Sequence, residues 1–188
     1  MKQKNTDIIN DLEIKHEKVD IYDRERKPTG KTKVRYQDSL EIGEYFIAVQ
    51  ALIINSKCEI LISKRTEKKK KYPSLWECTQ GVVVSGETSI QGILRELKEE
   101  LGIVLEEKEA ILLKTEMTEN KFKDIYLFKK DIEIEELKFS KDEVTDAKWV
   151  DIDTFTEIIK AEEMVPKIDI DSTDFYTALK LLRNAGRI

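Results

Sequence analysis

Apolar positions along this chain fall into short extended runs separated by polar turns, with three stretches at helical spacing. From Tyr45 to Ile54 the chain is apolar and rich in β-branched residues, which predicts a central strand. Cys58 to Ile62 predicts a second strand, reached through a turn at Asn55-Ser56. Earlier, Val19 to Tyr22 alternates well enough for a strand, Lys27-Pro28-Thr29-Gly30 reads as a turn, and Lys31 to Tyr36 as a short extended segment. Ala110 to Met117 and Phe122 to Ile134 predict the arms of a hairpin turning at Thr118 to Lys121, and Ser140 to Asp151 leads into a strand ending on Trp149. Ile152, Phe155, Ile158 and Ile159 share one side of a helix over Ile152 to Ala161, and Ser172 to Arg183 reads as a closing helix capped by Gly186. The clearest stripe is Ile90, Ile93, Leu94, Leu97 and Leu101; Thr88 with Gln91 predicts a capping box at its start, and Gly102 a left-handed C-cap at its end.

Composition narrows the class. A chain of 188 residues suits one domain with a real core, and no repeat or low-complexity linker offers a boundary. The expected layout is a polar arm over residues 1–18, a core over 19–160 and a helical extension over 161–188, all within one domain (1–188). The net charge of −5 argues against a general grip on a nucleic-acid polymer. Two cysteines, Cys58 and Cys78, are no disulfide scaffold, and no apolar run approaches the roughly 18 residues of a membrane span, so a cytoplasmic location is expected. The lone histidine, His16, lies in the polar arm and receives no role; a homodimer exchanging that arm stays open.

The chemistry concentrates on the flank of the capped helix. Glu96, Glu99 and Glu100 lie at i, i+3 and i+4 and so share one face. Like charges at that spacing cost a helix about 0.2–0.5 kcal/mol per pair. A divalent cation removes the repulsion, and oxygen ligands without His or Cys suit magnesium or manganese. A solvated acidic face is the alternative in a chain that is 38% charged. Gly81 and Gly86 permit a close backbone approach just before the helix, Glu87 adds a fourth carboxylate, and Arg95 can steady a neighbouring one through its planar fork. Upstream, Lys64 and Arg65 at a strand end are candidate phosphate ligands, whereas most of the run Lys68 to Lys71 reads as a solubilising loop.

The stretch from Gly81 to Ile103 resembles the Nudix box: Gly81, five residues, Glu87, seven residues, Arg95-Glu96-Leu97, one residue, Glu99-Glu100, one residue, Gly102-Ile103. The resemblance implies an α/β Nudix fold, a mixed β-sheet sandwiched between α-helices. It implies magnesium- or manganese-dependent hydrolysis of a diphosphate linkage in a nucleoside diphosphate joined to another group, or a related small phosphorylated metabolite. By position, Glu96, Glu99 and Glu100 would be metal ligands, with the Gly81 carbonyl, while Glu87 and Arg95 would orient them. Glu143, before the last core strand, is similar in placement to an acidic residue that serves such enzymes as a base; Glu99 and Glu143 are thus the candidates for activating water.

Tyr22-Asp23, Thr29-Gly30-Lys31, Arg35, Gly43-Glu44-Tyr45, Lys64-Arg65, Pro73 and Trp76 further resemble the Nudix subgroup related to isopentenyl-diphosphate isomerases. That isomerase chemistry needs a thiol just before the box glycine, where this chain has Gln80, and histidine ligands where it has Phe46 and Val82. Hydrolysis is therefore the expected activity; an isomerase-like enzyme acting on a prenyl diphosphate and a non-catalytic nucleotide-binding module are the alternatives.

Overall fold

A computed structural model describes residues 17–166, 172–184 and 186. The N-terminal arm up to His16 and part of the C-terminal extension lie outside the described residues. Strands β1 (Lys18–Tyr22) and β2 (Pro28–Val34) form an antiparallel hairpin. Its turn lies before Pro28, not across it: the Asp23 side chain accepts from the backbone N–H groups of Glu25 and Lys27 (both 2.9 Å), and Arg26 takes a left-handed conformation (φ 61°). Pro28 is left as the first residue of β2, a strand position that lacks nothing by having no N–H.

The main sheet has seven strands, with β3 (Phe46–Ile54) at its centre. On one side β3 runs parallel to β8 (Lys121–Lys129) over its whole length, from Phe46↔Lys121 to Ile54↔Lys129; β7 (Ile111–Met117) closes that edge. Burial on both faces of β3 and β8 explains why they are apolar without clean alternation. On the other side, β3 meets β4 (Ile60–Arg65) only at Ile54↔Ile60. The two strands then part, and the wedge between them is filled by β5 (Trp76–Glu77) on β4 and β6 (Gln80–Val82) on β3. Strand β9 (Val144–Val150) pairs along the far side of β4. β5 and β6, two and three residues long, are too short to carry a period in the sequence. β4 begins two residues later than its apolar run because Cys58 sits in the turn with positive φ (62°).

Helix α1 (Ser89–Leu101) covers one face of the sheet. Its cap is as predicted: Thr88 Oγ1 accepts from the Gln91 N–H, Gln91 Oε1 accepts from the Thr88 N–H, and Gly102 closes the helix at φ 72°. Ile93, Leu97 and Leu101 are sunk among Val49, Ala51 and Ile53 of β3, each buried side chain stabilising the layer by about 1.5–3 kcal/mol. Helices α2 (Ile152–Lys160) and α3 (Ser172–Asn184) cover the opposite face, where Phe155, Ile158, Phe175, Ala178 and Leu182 pack on Leu52, Ile54, Ile60 and Ile62. The result is the expected α/β sandwich, a mixed sheet between helices. Among the described residues no helix is long and apolar enough to cross a membrane.

Candidate active site

The wedge between β3 and β4 is where the acidic flank of α1 meets the sheet. Gly81 on β6 pairs with Val49 and faces α1. A methyl group built on Gly81 would lie 2.1 Å from both Cδ and Oε1 of Glu96, so only glycine lets this carboxylate cross the strand. Glu96 and Glu100 are buried (8% and 7% exposed), whereas the Glu99 side chain is more open (42%). The solvated acidic face considered from spacing therefore does not describe Glu96 or Glu100.

Arg95 organises the near side. It donates to both Glu87 oxygens (2.9 and 3.2 Å), to Glu96 Oε1 (2.9 Å) and to the Val82 carbonyl (2.8 Å), and it stands 3.6 Å from Glu99 Oε2. Burial works against the Arg95 charge, but Glu87 and Glu96 outweigh it and hold the guanidinium firmly protonated. Glu87 also accepts from the Val84 N–H (3.2 Å), tying the loop ahead of α1 to the helix.

Behind these groups lies a residue that sequence reasoning passed over. Glu77 on β5 is buried (2% exposed) and is, after burial itself, the strongest influence raising the Glu100 carboxyl. Glu96 adds to that rise, and Lys69 and Arg65 oppose it. Glu100 Oε2 is buried with no hydrogen-bond partner. Nearby on the same face, the buried Ser63 hydroxyl, opposite Glu77 in the β4–β5 register, is also unpartnered. The one signal for Glu77 in the sequence was a lone charge inside Leu75-Trp76-Glu77-Cys78.

The candidate phosphate ligands Lys64 and Arg65 end β4, as expected, and each meets partners within the protein. Arg65 donates from Nη1 to Glu77 (2.7 Å) and from its other nitrogens to the carbonyls of Lys71 and Tyr72 (both 3.1 Å), so it ties down the β4–β5 loop. Lys64 lies over the Trp76 ring, 5.4 Å from its centroid, on the face covered by α2 and α3. Glu143 sits at the loop leading into β9, ion-paired with Lys69, and its carbonyl accepts from the Thr66 N–H (3.1 Å). The structure thus gathers Gly81, Glu87, Arg95, Glu96, Glu99 and Glu100 around α1, adds Glu77, reaches Glu143 through Lys69, and leaves Lys64 outside.

Hard oxygen donors, a glycine cradle and an orphaned buried carboxylate oxygen fit a divalent cation. Among the described residues no three carboxylates converge on one point. Glu96 and Glu99 are instead both drawn to the Arg95 guanidinium (2.9 and 3.6 Å). Gln80 donates to Glu77 Oε2 (3.0 Å), and Cys78 is wholly buried, its thiol pushed up to about 12 chiefly by that burial. A thiol in that state is no nucleophile or acid–base partner for an isomerase.

Comparison with known proteins agrees with this geometry. The NUDIX domain profile matches residues 44–169. An uncharacterized Nudix hydrolase of Listeria monocytogenes is 32% identical over 126 residues, which cover 66% of this chain and 74% of that protein. Among solved structures, a Deinococcus radiodurans protein superposes with a TM-score of 0.67 at 21% identity, covering 79% of this chain and 92% of the other. A MutT protein from Methanosarcina mazei superposes with a TM-score of 0.52 at 25% identity, covering 78% and 99%. Nothing in these likenesses points to the isomerase-related subgroup. Nudix enzymes act on small phosphorylated substrates and typically use a divalent metal. The chain belongs to the NUDIX family and is a Nudix hydrolase, a pyrophosphohydrolase that cleaves diphosphate linkages.

Proposed function

We propose that the substrate is a nucleoside diphosphate joined to another group, or a related small phosphorylated metabolite, hydrolysed with Mg²⁺ or Mn²⁺. Glu96, Glu99, Glu100 and the Gly81 carbonyl are the ligands in this reading. The observation that carries it is Glu100 Oε2, buried with no hydrogen-bond partner while Glu77 and Glu96 push its carboxyl up after burial itself. A bound divalent ion supplies charge neutralisation there and polarises phosphate oxygens. The chain's own residues do the rest. Arg95 and Glu87 hold Glu96 and Glu99 in place; Gly81 leaves room for Glu96 over the strand. Water attacks phosphorus, the bridging P–O bond breaks toward the leaving phosphate, and the water proton passes to a carboxylate, for which Glu143 at the rim is the candidate.

The test is a panel of nucleoside diphosphate sugars, dinucleoside polyphosphates, oxidised nucleotides and prenyl diphosphates, assayed with magnesium beside a Mn²⁺ titration of the protein followed by electron paramagnetic resonance. Metal-dependent release of a phosphorylated product is expected. An isomerised prenyl diphosphate, or a protein that binds no Mn²⁺, would overturn the reading.

A further inference from the structure

If Arg65 and Lys64 are spoken for, the diphosphate needs another cation. The basic run offers several, and the structure sorts them. Lys68 reaches outward to Asp142 (3.1 Å), Lys71 lies 5.4 Å from the Tyr36 ring centroid, and Lys70 is exposed. Lys69 turns inward. Its side chain is only 26% exposed and it pairs with Glu143; burial first and the Arg65 charge second work against its ammonium and outweigh Glu100, Glu77 and Glu96, which favour it. The loop that carries it is pinned: Arg65 holds the carbonyls of Lys71 and Tyr72, Tyr72 and Ser74 take left-handed conformations (φ 54° and 60°), and Thr66 bonds the Asp142 and Glu143 carbonyls. A flexible lysine stem on a fixed loop gives one mobile ammonium at the mouth of the carboxylate cluster.

We propose that Lys69 is the residue that binds a non-bridging phosphate oxygen of the substrate, a role that rests on the metal-site reading above. In the free protein Glu143 holds the ammonium ready. A phosphate takes it over and leaves the Glu143 carboxylate free to receive a proton. Both partners change together: the substrate gains a charge-assisted hydrogen bond and the water gains an acceptor.

The test is a pair of titrations on wild type, Lys69→Met and Lys69→Arg: Mn²⁺ alone, and imidodiphosphate in saturating Mg²⁺ by calorimetry. For Lys69→Met, imidodiphosphate should bind roughly tenfold or more weakly, the scale of one charge-assisted hydrogen bond. Mn²⁺ should bind equally or more tightly, because a like charge has left its neighbourhood. Lys69→Arg should recover most of the imidodiphosphate affinity. Loss of a merely structural residue would weaken both ligands together, and that result overturns the proposal, as does imidodiphosphate binding within twofold of wild type. Wild type that binds Mn²⁺ but ignores imidodiphosphate defeats the Lys69 assignment alone. Wild type that ignores Mn²⁺ defeats the metal site beneath it.

Discussion

Asp124 on β8 and Glu100 on α1 are carboxylates sunk into the same side of the sheet, 1% and 7% exposed, and the fold treats them in opposite ways. Asp124 is fully served. Arg26 grips it with both terminal nitrogens (2.8 and 2.5 Å), Thr115 donates (2.6 Å), Ser89 donates, and Tyr126 backs Ser89 (3.1 Å). Burial pushes the Asp124 carboxyl up, but these donors overcome it and hold it below the usual range. Glu100 has burial and two like-charged neighbours pushing it up, and one oxygen without a partner. The first cluster fastens the β1–β2 turn to β8 and the start of α1. The second leaves one buried oxygen without a donor, and an unsatisfied buried group costs about 1–3 kcal/mol. The satisfied carboxylate holds the structure together; the unsatisfied one is the group that the proposed function assigns to a cation.

The comparison can be broken by mutation. Glu100→Gln should lower metal-dependent turnover by about 100-fold or more, while the melting temperature of the metal-free protein stays level or rises because a crowded charge has gone. Steady-state kinetics and calorimetry check both halves, and a wild-type rate would end the assignment. Asp124→Asn should do the reverse. It strands Arg26, which is one-third exposed, so a loss of about 2–3 kcal/mol is expected, roughly 5–10 °C in melting temperature, with activity per folded molecule nearly kept. The sign of its pH dependence follows from a depressed folded-state value: the stabilisation is present above the ordinary aspartate range near 4 and drains away as pH falls below it, so the Asn variant should show a flatter acid limb. Gly81→Ala should weaken Mn²⁺ binding and turnover by about tenfold, with the fold retained, because the new methyl displaces Glu96. The smallest effect belongs to Glu44, held at about 2 by Lys33 first, then by the Glu41 N–H and Lys31. Its contribution is present above 4.5 and lost between there and about 2, so Glu44→Gln should lower stability by a constant amount above 4.5 and flatten an acid titration only within that window.

Much of the α1 region was legible because its signals are local. A capping box, an apolar stripe, a terminal glycine and carboxylates at i, i+3 and i+4 are all set within one helix. The central strands were legible for the same reason: burial on both faces leaves a continuous apolar run. β5, β6 and the turn at Asp23 were not, since strands of two or three residues have no period and an Asx turn competes with a nearby Pro-Thr-Gly for the same reading.

The chain by itself determined the family's box, the helix that carries it and the hard-oxygen chemistry of its acidic flank. Which buried carboxylates are paired and which are left wanting was decided only when distant strands closed. Glu77 reaches Glu100 because β3 and β4 part after a single pairing, and Arg26 reaches Asp124 because a hairpin folds back across 98 residues. The division between Arg65, Lys64 and Lys69 was set the same way. A cation's role depends on which side of the strand it leaves and which carbonyls lie within reach, and neither is encoded in spacing along the chain.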